Sequence, residues 1–385
     1  MKIGILTYWN SYDNYGQLLQ CFALQHYLKE LNHDAYLIRY IPPFSTKATL
    51  LKAPNKENLI NKIIKRFIAH YKYKRNRRIA KENNFDEFRD QFIKQSSNIY
   101  FSIQELKDNP PLADIYIAGS DQIWSFIPDY HNAAPWFLDF GDKKTKRIAY
   151  AASFGKTQLE DNEKIVLRQL LPLLNRISLR EKGCANFCHE ITGKEIHTVL
   201  DPTLLLEKDK YINIFNLTIK PSKTNQQYIF SYFLNIEKEE DIYWKEISNY
   251  IERKRLKLIL SMSNGYIPAL KKLGNYKPKT MTIIEWLNKI YNSQGVITSS
   301  FHGLVFSIIL ERPFMVMLLP NKYKAGNERL LNLLNALDLT NHIYIPNSTT
   351  VESILNSPIN WINIKEKLNK LKDNSISFLK DSLNA

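Results

Sequence analysis

The chain has 385 residues, of which 44% are hydrophobic, and a formal net charge of +15. This composition is typical of a folded globular protein and excludes a disordered chain, while the length favours two domains. The three cysteines, Cys21, Cys184 and Cys188, are too few for a disulfide framework and fit a reducing compartment, and no Cys/His pair at zinc spacing completes a metal site.

Strands and helices alternate along the first part of the chain. Residues 2–8 form a short β-rich run, residues 17–31 carry apolar side chains at helical spacing, and residues 34–41 form a second β-rich run. A strand, a helix and a strand in this order predict a parallel, doubly wound sheet. Four further short strands are predicted at residues 113–118, 147–152, 177–179 and 198–200.

Residues 43–108 are basic and carry few strand signals, so we predict a helical insertion there. Its most basic part, residues 62–81, contains nine lysines and arginines and no acidic residue. A solvent-exposed helix with one buried stripe and a contact with anionic lipid headgroups both fit this run. Nucleic-acid binding is not expected, because no recognised nucleic-acid motif accompanies the charge.

A polar stretch at residues 207–227 marks the predicted boundary between two lobes. Strands are then predicted at residues 228–232, 256–261, 295–298 and 314–319, with helices at 242–253, 283–292, 302–310 and 328–337. We therefore predict an N-terminal Rossmann-like lobe over residues 1–210, a C-terminal Rossmann-like lobe over residues 220–355, and a terminal helix over residues 356–385.

The segment SSFHG at residues 299–303 joins a predicted strand to a predicted helix. Backbone N–H groups and the dipole at a helix start favour an anion, and Ser299 or Ser300 can cap the helix. His302, in the first turn, can donate a hydrogen bond or transfer a proton at neutral pH. On this motif alone, a plain cap at Ser300 and a local structural histidine at His302 stay equally open.

Other polar side chains follow the strand ends of the first lobe, which is where open α/β sheets bind ligands. Arg180 suits a phosphate or carboxylate, with an ion pair to Glu181 or another acid as the alternative. Asp121 is a candidate general base. Seven further residues are candidates for binding a sugar, with plain turn structure as the alternative: Asn14, Tyr15, Gly16, Gln17, Ser120, Gln122 and Trp124.

Together, these motifs resemble the polysaccharide pyruvyl transferase family. The similarity runs in order through TYWNSYDNYGQLLQCFALQHYL, ADIYIAGSDQIWS, YAASFG, SLRE, VLDPTLLL and SSFHGLVFSIIL. The resemblance implies a GT-B-like α/β fold, in which two Rossmann-like, doubly wound lobes enclose a cleft. It also implies a reaction, the transfer of the enolpyruvyl group of phosphoenolpyruvate to two sugar hydroxyls, which forms a pyruvate ketal and releases phosphate.

The resemblance further implies roles for single residues. Arg180 matches the arginine expected to hold the phosphate or carboxylate of the donor, and His302 matches the histidine expected beside it. The donor side then includes four more residues: Ser299, Ser300, Phe301 and Gly303. The sequence departs from the family motif at Ser300, where that motif has a second arginine and relatives of the SFHG type share the change. Three basic residues are candidates to supply the missing charge: Lys322, Lys324 and Arg329.

We therefore expect a transferase that uses phosphoenolpyruvate as co-substrate and needs no metal or other cofactor, with His302 and Asp121 as catalytic residues. The expected acceptor is a sugar of a capsular or exopolysaccharide repeat unit, linked to a polyprenyl-diphosphate lipid. No signal peptide or membrane span is recognised, so the expected location is the cytoplasm, peripheral to the inner face of the membrane through residues 62–81. The alternative is a GT-B glycosyltransferase that uses a nucleotide sugar.

Overall fold

A computed structural model describes residues 1–42, 78–79, 81–219, 227–263 and 272–384 of the chain. Most of the basic run at residues 62–81, and with it the predicted lipid contact, lies outside the described residues. Within the described ranges, no helix combines the length and the apolar character that crossing a membrane requires.

The first lobe is built around a seven-stranded parallel sheet with the order β3-β2-β1-β4-β5-β6-β7. Its strands are β1 (Lys2–Leu6), β2 (Asp34–Tyr40), β3 (Gln95–Tyr100), β4 (Ile115–Ala118), β5 (Lys146–Ala152), β6 (Arg176–Leu179) and β7 (Ile196–Thr198). The central strands are nearly continuous apolar runs, because helices cover both faces of the sheet. The strand order reverses between β1 and β4, the kind of position where such sheets bind ligands.

Seven α-helices of this lobe lie wholly within the described residues. They are α1 (Tyr15–Glu30), α2 (Phe85–Phe92), α3 (Ile103–Asp108), α4 (Tyr130–Ala133), α5 (Asp161–Leu170), α6 (Ala185–Thr192) and α7 (Lys208–Phe215). Most side chains of α1 are buried, because this helix packs against the first sheet on one side and the second lobe on the other.

The edge strand β3 lies within the predicted helical insertion and pairs with β2 in parallel. Its sequence, QSSNIY, is largely polar, and most of its residues are exposed or half-buried. An edge strand of this kind has one side in water and needs no continuous apolar run. The periodicity of the sequence therefore gave no strand signal at this position.

The second lobe contains a four-stranded parallel sheet with the order β11-β10-β8-β9. Its strands are β8 (Tyr228–Leu234), β9 (Lys257–Ser263), β10 (Gly295–Thr298) and β11 (Phe314–Val316). The helices that follow the first lobe are α8 (Trp244–Arg253), α9 (Ile283–Tyr291), α10 (Phe301–Ile309), α11 (Glu328–Ala336), α12 (Val351–Leu355) and α13 (Trp361–Asn384). The strand order again reverses, here between β8 and β10.

The two lobes share one hydrophobic core across their junction. Tyr15 of α1 stacks on Trp286 of α9, with ring centroids 5.1 Å apart, and donates a hydrogen bond to the carbonyl of Met281 at 3.0 Å. Helix α13 returns to the first lobe, where Oγ of Ser375 accepts a hydrogen bond from the backbone N–H of Leu200 at 2.9 Å. The predicted α/β fold with two Rossmann-like, doubly wound lobes and a cleft between them is confirmed.

Candidate functional site

A cavity of about 520 Å³ lies between the lobes. The first lobe contributes Arg180, which follows β6, and residues 198–201 at the end of β7. The second lobe contributes Phe301 at the start of α10 and one face of α11, and α13 closes the far end. The carboxyl edge of the first sheet thus faces a helix that begins at the carboxyl edge of the second.

The wall of this cavity carries more positive than negative charge. Its charged residues are three bases and one acid: Arg180, Lys182, Arg329 and Asp201. A concave site that is lined by one sign of charge concentrates ligands of the opposite sign. The cavity is therefore suited to an anion.

Asp201 is the buried centre of the polar network beside the cavity. Its Oδ2 accepts hydrogen bonds from Nη1 of Arg180 and Oγ of Ser120, both at 2.8 Å. Its Oδ1 accepts from the backbone N–H and the hydroxyl of Thr203, at 3.0 and 2.7 Å. Burial disfavours the charged carboxylate, but His302, Arg180 and Thr203 outweigh burial and hold its pKa well below the usual range. Asp201 is therefore ionised.

Arg180 is buried and has more hydrogen-bond donors than partners. Its Nη2 lies 3.7 Å from Oδ1 of Asp121, and neither Nη2 nor Nε has a hydrogen-bond partner among the described residues. Its guanidinium lies over the ring of Phe301, 4.7 Å from the ring centroid. Burial opposes its charge, but Asp201, Asp121 and Glu181 raise the pKa of this arginine above its ordinary value. A charged residue with unused donors in a cavity wall is suited to binding an anionic ligand.

His302 is buried beside the cavity rather than exposed in its wall. Its Nε2 lies 3.5 Å from Oδ2 of Asp201 and has no hydrogen-bond partner among the described residues. Its Nδ1 lies against Gly16 of the first lobe, where an added Cβ atom would approach it to 2.0 Å. The lobes touch at this point, and the close approach requires a glycine at residue 16.

Of the four predicted donor-side residues near His302, only Phe301 lines the cavity. Ser300 is the N-cap of α10, and its Oγ accepts a hydrogen bond from the N–H of Gly303 at 3.3 Å. The hydroxyl of Ser299 is bonded to the backbone at the end of β8, at 3.0 and 3.2 Å. A Cβ atom on Gly303 would lie 2.2 Å from Oγ1 of Thr298. These three residues shape the start of α10, and their predicted donor contacts stay predictions.

The first loop divides into structural residues and one with an unused side chain. Asn14 caps α1, because its Oδ1 accepts a hydrogen bond from the N–H of Gln17 at 3.4 Å. Tyr15 belongs to the core between the lobes, and Gly16 makes room for His302. The half-buried amide of Gln17 has no hydrogen-bond partner within the described part of the chain.

The loop after β4 is tied to the same network. Ser120 donates to Asp201, as described above. Asp121 has a left-handed backbone with φ of 84°, and its Oδ1 accepts a hydrogen bond from the N–H of Gln122 at 2.9 Å. Nη2 of Arg180 lies 3.7 Å from the same oxygen, so Asp121 is a partner for that arginine, and its predicted role as a general base stays a prediction. The amide of Gln122 packs against Gly155.

The predicted sugar-stacking role of Trp124 is wrong. Its side chain is 0% exposed and stacks on Phe137, with ring centroids 4.6 Å apart. Its Nε1 donates a hydrogen bond to the carbonyl of Trp136 at 3.0 Å. An apolar ring that follows a strand end is recognisable from the sequence, but only packing shows whether either of its faces is free.

Asp201 is the residue for which sequence reasoning gave no role. The signal was present, because the segment DPT follows a predicted strand at a position where α/β sheets bind ligands. An aspartate before proline also reads as a simple cap, and Asp201 does accept from the backbone of Thr203 two residues later. Its contacts with Arg180 and Ser120 join residues far apart in sequence and appear only in the folded structure.

The cysteines take no part in the site. All three are buried free thiols, and burial raises the pKa of each to about 12, so that they stay protonated. Among the described residues, no three His, Cys, Asp or Glu side chains converge as the ligands of a metal ion would.

The sequence profile of the polysaccharide pyruvyl transferase family matches residues 14–319. No sequence among curated proteins matches the chain. The UDP-GlcNAc 2-epimerase of Neisseria meningitidis, bound to UDP-GlcNAc, is similar with 9% identity over 100% of both chains and a TM-score of 0.47. That of Rickettsia bellii has 10% identity over 100% of this chain and 96% of its own, with a TM-score of 0.48. The UDP-GlcNAc 2-epimerase of Methanocaldococcus jannaschii, in complex with UDP-GlcNAc and UDP, is 14% identical. The match covers 97% of this chain and 100% of that enzyme, with a TM-score of 0.48.

Proposed function

The chain belongs to the polysaccharide pyruvyl transferase family, and on that premise we propose that it forms a pyruvate ketal on a sugar. The enolpyruvyl group of phosphoenolpyruvate is transferred to two sugar hydroxyls, and phosphate is released. The observation that carries this proposal is the basic cavity between the lobes, where buried Arg180 keeps unpaired donors for an anion.

The proposed reaction balances without an oxidant or a reductant. The methylene carbon of the donor takes up a proton and becomes a methyl group, which leaves an oxocarbenium-like centre on the neighbouring carbon. The first hydroxyl attacks that carbon, the bond from this carbon to the phosphate oxygen breaks, and the second hydroxyl closes the ketal. Of the two hydroxyl protons, one replaces the proton delivered to the methylene carbon and the other leaves with phosphate.

The donor side of the proposed mechanism uses Arg180 and His302. Arg180 binds the phosphate and stabilises the charge that develops as it departs, while Asp201 positions Arg180 through the bond to Nη1. His302 moves the proton, because an imidazole can give or take one near neutral pH. Its Nε2 lies 3.5 Å from Oδ2 of Asp201, so this carboxylate positions the imidazole for that exchange.

The acceptor side uses Gln17 and Gln122. Both side-chain amides are half-buried and have no hydrogen-bond partner in the described ranges. An amide offers both donors and acceptors, and this matches the hydroxyl groups of a sugar.

The test is the turnover of the variant His302→Ala. Turnover is measured from the release of phosphate and from the methyl signal of the ketal in NMR spectra. We expect kcat to fall by about 10²–10³. His26→Ala is the matched control, since His26 pairs with Glu30 at 3.4 Å on α1 and is not among the residues that line the cavity. Wild-type turnover by His302→Ala would remove the proposed role of this residue.

Thermal unfolding separates ketal formation from glycosyl transfer. A ligand that binds only the folded protein raises Tm in proportion to the logarithm of its concentration over Kd. We expect phosphoenolpyruvate to raise Tm and nucleotide sugars to leave it unchanged. Stabilisation by nucleotide sugars alone would favour a GT-B glycosyltransferase instead.

We further propose that the acceptor sugar belongs to a capsular or exopolysaccharide repeat unit on a polyprenyl-diphosphate lipid, and that residues 62–81 hold the protein against the anionic inner face of the membrane. A basic residue near such a surface contributes about 1 kcal/mol. Co-sedimentation with vesicles rich in anionic lipid tests this proposal. We expect binding to be lost when five residues are neutralised: Lys72, Lys74, Arg75, Arg77 and Arg78. Unchanged binding would contradict the membrane contact.

A further inference from the structure

Two arginines, one from each lobe, lie against the ring of Phe301. The guanidinium carbon of Arg180, in the first lobe, is 4.7 Å from the ring centroid. That of Arg329, in the first turn of α11 in the second lobe, is 5.8 Å from the same centroid. Both residues line the cavity between the lobes. The structure therefore brings two like charges to one aromatic ring.

The two arginines differ in the partners that balance their charge. Arg180 is paired with Asp201 and Asp121. Arg329 forms no ion pair with any described residue, and its guanidinium makes one hydrogen bond there, from Nε to the carbonyl of Gly326 at 3.3 Å. Both terminal nitrogens of Arg329 are left without a hydrogen-bond partner in the described part of the chain.

Three acids act on the charge of Arg329, namely Asp121, Glu181 and Asp201, but none of them forms an ion pair with it among the described residues. Each oxygen of Asp201 already accepts two hydrogen bonds, and Oδ1 of Asp121 accepts one from Gln122. Burial and the charge of Arg180 lower the pKa of Arg329 to about 10. Burial and the neighbouring arginine thus both oppose its positive charge, and a bound anion would favour that charge.

A purely structural role accounts for only part of this arrangement. Stacking of one guanidinium on an aromatic ring is favourable and explains either arginine alone. A second cation on the same ring adds repulsion between the two charges. An anionic ligand between the guanidinium groups explains both positions, because an arginine can bind a phosphate with two parallel hydrogen bonds.

We propose that Arg329 and Arg180 together bind the phosphate of the donor from opposite lobes, with the Phe301 ring fixing both guanidinium planes. The identity of that donor as phosphoenolpyruvate rests on the proposed function, whereas the anion site does not. Arg329 then supplies the positive charge that is missing at Ser300. Lys324 is exposed, and the side chain of Lys322 lies outside the described residues.

The experiment measures the binding of inorganic phosphate and of phosphoenolpyruvate to the full chain by isothermal titration calorimetry. The variants are Arg329→Gln, Arg329→Lys and, as a matched control, Arg312→Gln. Arg312 is also half-buried in the second lobe, bonds a carbonyl through Nε at 3.1 Å and lies 5.6 Å from the ring of Tyr291. It is not among the residues lining the cavity.

We expect Arg329→Gln to weaken the binding of both ligands by about tenfold to a hundredfold. This is the loss of affinity that usually follows when a hydrogen bond to a charged group is removed. Arg329→Lys should retain part of the affinity, because it keeps the charge but loses the planar fork. Arg312→Gln should bind as the wild type does. In turnover assays, KM for the donor should rise with Arg329→Gln by more than kcat falls.

Two outcomes would overturn the inference: wild-type affinity for phosphate in a folded Arg329→Gln variant, or an equal loss in Arg312→Gln. A different result would overturn only the choice of donor. If the wild type binds inorganic phosphate through Arg329 but does not bind phosphoenolpyruvate, the anion site stands and the proposed function fails.

Discussion

The loop after β1 and the loop after β6 lie at the same edge of the same sheet but use their polar side chains differently. In the loop after β1, Asn14 caps a helix and the hydroxyl of Tyr15 bonds the backbone of Met281. In the loop after β6, Arg180 has two buried nitrogens, and Glu181 one oxygen, without a hydrogen-bond partner among the described residues. Buried polar groups are normally paired, and Arg180, whose donors are not, lines the cavity.

Two kinds of contact join the lobes. Tyr15 stacks on the ring of Trp286 and donates its hydroxyl to the carbonyl of Met281, so its polar group is used within the protein. Arg180 and Arg329 bring two like charges to the ring of Phe301. The first contact holds the lobes together, and the second is the anion site that we propose.

The variant Asp201→Ala should show the largest effect, a loss of stability that separates the two loops further. Removing this carboxylate leaves Arg180 buried without its main partner, and breaking a buried pair in this way costs about 3–5 kcal/mol. Urea unfolding measures the loss. Asp34→Ala, which removes a surface pair with Lys94, is the control and should lose much less. Equal losses of stability in the two variants would mean that the buried pair of Asp201 with Arg180 contributes no more to stability than a surface pair does.

The next effect is that of Gly16→Ala on turnover. The added Cβ atom would lie 2.0 Å from Nδ1 of His302, so the imidazole or α1 has to move. A displacement of about 1 Å at a catalytic group can cost about 10²-fold in rate, and we expect a loss of that size in kcat. A variant with full kcat would show that the position of His302 does not matter for the reaction.

A smaller effect is expected for Tyr15→Phe, which tests the structural side of the comparison. The variant keeps the ring stack on Trp286 but loses the hydrogen bond to Met281, so unfolding should become easier by about 1 kcal/mol. KM for the sugar acceptor should not change, because the hydroxyl is already used inside the protein. If KM rises while stability is unchanged, Tyr15 contacts the acceptor as first predicted.

The smallest expected effect is a change in how the thermal stability depends on pH, in the variant Glu328→Gln. Burial and the charge of Glu181 raise the pKa of Glu328. The folded state thus prefers the protonated acid, and stability falls as the pH rises from the ordinary pKa of about 4.3 through the folded value. The glutamine variant carries no such charge. We expect equal Tm values near pH 4 and a slightly higher Tm for the variant near pH 7, whereas a lower Tm would indicate a favourable ion pair at Glu328.

The site could be predicted only in part from the sequence. Arg180 and Phe301 were both singled out, and both line the cavity, because strand ends and helix starts are local features with known directions. Trp124 was placed wrongly, since nothing in the segment GSDQIW tells that Phe137 and Trp136 enclose its ring. Asp201 was missed because its cap and its ion pair occupy the same carboxylate.

By itself, the sequence determined the alternation of strands and helices, the parallel sheets that this order forces, and the family to which the motifs belong. Each of these depends on residues that are close in the chain, through periodicity, capping and short apolar runs. Only the tertiary structure decided which polar groups stay unpaired, that Gly16 meets His302, and that Arg329 and Arg180 lie near the same ring, that of Phe301. These contacts join residues far apart in sequence, and the packing of the two lobes, which no local pattern encodes, places them together.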